Sequence, residues 1–209
     1  MAGPDELVEY DPQTEFPGVI GRTLDESSPA WPAPKRAPAG TPNVIVMLWD
    51  DVGFGQFSAF GGLCDTPTLD RLADRGLRYA NFHTTALCAP TRQALLTGRN
   101  HHSVNMGGIT EIATSAPGYT SVLPKDKAPL AMTLKLNGYA TAQFGKCHEV
   151  PVWQTSPLGP FDSWPSGGGG FEYFYGFIGG EADQYYPGIY EGTIPIEPNK
   201  TPEEGYHFT

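Results

Sequence analysis

A chain of 209 residues is long enough for one large domain or two small ones, with a real core. Its formal charge of −10 argues against general nucleic-acid binding and against anionic membrane surfaces, so an anion site must gather a few of the 13 Lys and Arg residues locally. With 39% hydrophobic residues, 26 Gly and 21 Pro, the composition points to long ordered loops or to a chain missing part of its partner structure.

Met1 to Tyr10 is polar and acidic and lacks the basic-then-apolar pattern of a signal peptide. No apolar run approaches the ~20 residues that cross a bilayer. Cys64, Cys88 and Cys147 are too few for a disulfide framework and fit a reducing compartment. The expectation is a soluble cytoplasmic protein without membrane or nucleic-acid partners, export by another route being left open. Residues 1–42, with scattered Pro, Asp and Glu, read as an extended N-terminal arm laid on the domain that follows.

Asn43 to Trp49 is a continuous apolar run, the pattern of a strand buried on both faces of a parallel sheet. It stops at Asp50 and Asp51, ahead of Val-Gly-Phe-Gly55. Adjacent acids at the carboxyl end of such a strand either form a solvated turn or supply two oxygen ligands to a hard divalent cation. Thr66 to Gly76 predicts an amphipathic helix with a Thr cap, an early proline and an apolar face of Leu69, Leu72 and Ala73. Leu77 to His83 reads as the next strand.

Cys88 to Arg99 follows, a helix starting at its reactive residue. Pro90 is tolerated in the first turn, Ala94, Leu95 and Leu96 favour helix, and Gly98 ends it. Cys88 and Arg92 are four apart and share a face, which places a thiol and a guanidinium together at a positive helix end. His101 and His102 read as polar loop residues rather than metal ligands, because no Cys or acid stands at ligand spacing. Residues 105–127 form a loop, Pro129 to Asn137 a helix capped by Gly138, and Tyr139 to Phe144 another buried strand. Beyond it, alternation along an extended segment sends Lys146 and His148 to one side and Cys147 to the other. From Pro151 the chain is loop-rich and aromatic. Residues 171–178, with Tyr185, Tyr186 and Tyr190, serve as plugs under the loops or as a wall for the organic half of a ligand.

The run Cys88-x-Pro90-x-Arg92, followed by Leu96-Thr97-Gly98-Arg99, resembles the signature of type I sulfatases. The family's commonest form has serine where this chain has Thr91, and an aromatic residue where it has Cys147. The Asp50–Asp51 pair after an apolar strand, and Lys146 and His148 after a later one, resemble the family in the same order. That resemblance covers residues 43 to about 148 and implies an α/β fold: a mainly parallel sheet flanked by helices, alkaline-phosphatase-like and incomplete at its C-terminal side. Residues 43–209 are then the N-terminal part of a sulfatase catalytic domain.

The resemblance also implies a chemistry. A maturation enzyme oxidises Cys88 to Cα-formylglycine, whose hydrate attacks the sulfur of an arylsulfatase-type sulfate ester. Asp50, Asp51 and residue 88 bind the divalent metal, Ca²⁺ or alternatively Mg²⁺. Arg92 stabilises the alkoxide, Lys146 binds the sulfate, and His148 takes the proton that releases it. The family's Asp-Asn metal pair, second Lys and second His lie further along. No Asp-Asn dipeptide occurs here, and nothing around His207 supports it as the second His. The expectation is low or no activity for this chain alone. Two alternatives stand beside sulfate-ester hydrolysis: a phosphonate monoester or phosphodiester hydrolase with the same nucleophile, and a truncated non-catalytic chain.

Overall fold

The structure, a computed structural model, describes residue 13 and residues 15–31 and 34–208. Among the described residues three α-helices form where local signals are strongest: α1 (Pro67–Arg75), α2 (Cys88–Thr97) and α3 (Leu130–Leu136). In α2 the chain ends at Gly98, whose φ of 63° is the left-handed conformation that side chains resist, and its N–H returns to the Ala94 carbonyl at 2.8 Å. Thr66 is not the side-chain cap expected for α1. Its N–H donates to Ser58 Oγ at 2.9 Å, and Ser58 Oγ also donates to Asp70, so Ser58 rather than Thr66 fastens that helix start.

One four-stranded sheet follows: β1 (Ala142–Cys147), β2 (Tyr173–Ile178), β3 (Ile189–Glu191) and β4 (Ile194–Ile196), in spatial order 1-2-3-4. β1 and β2 are parallel, in register from Ala142 opposite Tyr173 to Cys147 opposite Ile178; the other two pairings are antiparallel. The sheet is therefore mixed in this part of an α/β fold. The region expected to be loop-rich supplies three of its strands. Aromatic and β-branched residues favour a pleated surface, and this outweighs the flexibility of the flanking glycines.

Two expected strands are absent among the described residues. Residues 43–49 and 77–83 form no ladder, and their side chains stay exposed, Ile45 at 84% and Leu77 at 83%. A strand is held by its neighbour's hydrogen bonds as much as by its own pattern. Instead of pairing, residues 43–46 with Leu48 and Asp50 border a cavity of about 630 Å³ whose other walls include Leu95 of α2, Leu134 of α3 and Phe144 of β1. The strand expected over 139–144 forms three residues later, as β1.

The core sits on the face of β1 and β2 towards which Cys147 turns. Trp164, fully buried, packs edge-on against Phe161 and Tyr190 at 5.2 and 5.0 Å and is joined by Val150 and Phe174. Its Nε1 donates to the Gln154 carbonyl at 2.5 Å, which satisfies the one polar atom it brings inside. Tyr190 is thus a core plug, whereas Tyr185 and Tyr186 are exposed. The described part of the arm meets the domain at α3: Ala37 N–H donates to the Gly138 carbonyl at 3.0 Å and Lys35 Nζ to the Leu136 carbonyl at 2.6 Å. A cation at the carbonyl end of a helix is favourably placed. No helix among the described residues is long and apolar enough to cross a membrane.

Candidate active site

Cys88 stands at the first turn of α2, half-buried, with its Sγ 2.9 Å from Nδ1 of His148. His148 lies one residue past β1 and is 2% exposed. Its other ring nitrogen, Nε2, meets both carboxylate oxygens of Glu111 at 2.9 and 2.8 Å. Glu111 sits on a short 3-10 turn, Thr110–Ile112, within a loop braced by Ser121 N–H to the Asn105 carbonyl and Gly107 N–H to the Gly118 carbonyl, both 2.8 Å. Burial alone pulls the Glu111 carboxyl up. The hydrogen bonds from His148, from its own backbone and from Thr110 outweigh that and hold it below the usual range.

One turn along α2, the buried Arg92 sends one guanidinium nitrogen to the Lys146 carbonyl at 3.1 Å and another to Asp50 Oδ1 at 3.1 Å. Lys146 Nζ reaches the second oxygen of Asp50 at 2.7 Å. Partial burial raises the Asp50 carboxyl, and its bonds to Lys146 and Arg92 more than reverse this, so it too is held low. Arg92 Nε is buried and has no hydrogen-bond partner among the described residues. Donors of that kind suit a site that receives a further oxygen.

Lys146 and His148 therefore turn towards α2 while Cys147 turns into the core, where its thiol donates to Glu149 at 2.9 Å. Asp51 is exposed, with a left-handed φ of 54°, a costly backbone for a residue other than glycine. Asp50 and Asp51 match a hard divalent ion in donor chemistry. An ionised carboxylate offers about four acceptor positions, so Arg92 and Lys146 leave room on Asp50. Two carboxylates are only part of the roughly six to eight oxygens that Ca²⁺ takes. Among the described residues no group of three or more His, Cys, Asp or Glu is placed to hold a metal.

His101 and His102 have structural partners instead: His101 Nδ1 approaches the Met106 carbonyl at 3.2 Å and His102 Nε2 the Tyr119 hydroxyl at 3.1 Å. Glu111 is the site residue that sequence reasoning missed. The one available signal is that it is the sole acid between Asn105 and Lys125, in a stretch otherwise neutral and Gly-, Ser- and Thr-rich.

A thiol at a helix start, a buried imidazole and two cations converging on one carboxylate come together on an α/β scaffold. Residues 42–207 match the family model described as Sulfatase, and the chain belongs to the sulfatase family. It is 34% identical over 168 residues to an uncharacterised sulfatase of Schizosaccharomyces pombe, covering 75% of this chain and 30% of that one. With an arylsulfatase of Klebsiella aerogenes it shares 32% over 155 residues, 73% of this chain and 32% of the relative. The figures for mouse arylsulfatase G are 37% over 145 residues, 68% and 24%. A solved chain, from work on glycosaminoglycan metabolism by Bacteroides thetaiotaomicron, superposes with a TM-score of 0.51 at 28% identity, over 70% of this chain and 30% of that one. The fold is accordingly the α/β, alkaline-phosphatase-like one. The chain spans between 24% and 32% of the length of these curated relatives.

Proposed function

We propose that this chain carries the nucleophile side of a sulfate-ester hydrolase, with residue 88 acting as Cα-formylglycine. The observation that supports it best is the 2.9 Å approach of the residue-88 side chain to a buried imidazole nitrogen, beside Arg92 and Lys146. In this reading the hydrated aldehyde supplies one hydroxyl to attack sulfur and a second whose proton must leave before sulfate can. His148 Nδ1 is the atom that takes that proton, because no water-sized gap separates it from residue 88. Lys146 Nζ and the Arg92 guanidinium hold the anion and offset its charge during transfer. A divalent cation, Ca²⁺ in this reading, would be held by Asp50 and Asp51 with residue 88 and would polarise the attacking oxygen.

An unmodified thiol lacks the second hydroxyl, so the reading makes two demands on protein purified from its own host. The intact mass should show the aldehyde at residue 88. Cys88→Ala should abolish aryl sulfate hydrolysis while leaving the far-UV CD spectrum unchanged. Turnover retained in the alanine variant would end this mechanism, and preferential cleavage of a phosphonate monoester would move the substrate class.

A further inference from the structure

We propose that Glu111 is the positioning residue for His148, fixing the tautomer and the ring plane through which the imidazole serves residue 88. The inference rests on the sulfatase reading for its chemistry, but its geometry stands apart from it. An ionised carboxylate only accepts hydrogen bonds. Glu111, at 2.9 and 2.8 Å from Nε2, therefore requires the hydrogen to sit on Nε2. In a neutral ring the Nδ1 lone pair is then left facing Cys88 Sγ at 2.9 Å. Without the carboxylate the hydrogen is free to move to Nδ1, where it would point at residue 88 and block acceptance of a proton from it.

The ring is confined on a further side by Gly180, just past the end of β2. A Cβ there would lie 2.8 Å from His148 Cε1, 3.1 Å from Nε2 and 3.4 Å from Glu111 Oε1. Glycine at this position lets the β2 end approach closely enough to hold imidazole and carboxylate together. Glu111 is itself steadied by Thr110 Oγ1, which donates to Oε2 at 3.2 Å. The carboxylate is 43% exposed and the imidazole 3%, so Glu111 joins a buried base to the surface.

Nitrogen NMR of the histidine rings in the whole chain tests the assignment without needing turnover, the His148 signal being identified by its loss in His148→Gln. The wild type should carry its hydrogen on Nε2. Glu111→Ala should shift His148 to a mixture or to the Nδ1 form. Glu111→Gln, which keeps the shape and an accepting oxygen, should fall between them, and it reads the same balance if the alanine variant does not fold. In active protein, kcat should drop about 10- to 100-fold for Glu111→Ala with KM within about twofold, and Glu111→Gln should recover part of it. A His148 that keeps the Nε2 hydrogen in both variants overturns the proposal. Protein from its own host that carries the aldehyde at residue 88 and hydrolyses no sulfate ester overturns the reading of function instead, and the tautomer comparison still decides the role of Glu111.

Discussion

Behind the site, one residue past His148, Glu149 accepts the thiol hydrogen of Cys147 at 2.9 Å. Burial pushes the Cys147 thiol well up, with Glu149 adding to it, so this cysteine stays protonated and inert. Burial also lifts the Glu149 carboxyl, against the opposing pull of Cys147, Arg92 and His148. A carboxyl whose folded pKa lies above its unfolded value binds its proton more tightly in the folded chain. Its contribution to stability is full at low pH and is lost as pH rises through the raised value. Glu149→Gln never ionises, so its Tm relative to wild type should rise at about pH 8, and the gap should close towards pH 4. Equal differences at both pH values would refute this. At this scale alternation alone made the opposed directions of Lys146, Cys147 and His148 legible. Glu111 was not legible, because a partner 37 positions away that orients a ring leaves no periodic trace.

The three helices lie within two residues of where caps, prolines and apolar spacing place them, because those signals act within a few residues of the chain. Strands differ. The run at 43–49 has the composition of a buried strand and no ladder, whereas the glycine-flanked residues 173–178 have one because β1 lies beside them in register. Pattern indicates what a segment would bury; pairing depends on which neighbour arrives. Helix α2 presents the simplest test of local encoding. Replacing Gly98, at φ 63°, with alanine should cost about 1–2 kcal/mol in urea unfolding with the slope unchanged. A loss under a few tenths would show that the helix end relaxes freely.

At the scale of the molecule, residues 43–49 leave a continuous apolar run open among the described residues, Val44 to Trp49 being between 40% and 84% exposed. Short apolar runs with unpaired backbone promote association between chains. Ile45→Lys, at the most exposed of these positions, should therefore raise the concentration at which the chain elutes as a monomer in size-exclusion chromatography without lowering its Tm. Unchanged elution would place the association elsewhere. The family was legible from three motifs. Their convergence was not, since Asp50 meets Lys146 across 96 positions and Cys88 meets His148 across 60. That last separation sets a clock. A ribosome adding ~5–20 residues per second delivers residue 88 about 3–12 s before His148. For those seconds the side chain at 88 lacks the imidazole it faces in the folded chain. Whatever reacts with it then meets a thiol surrounded by solvent, before that imidazole has been made.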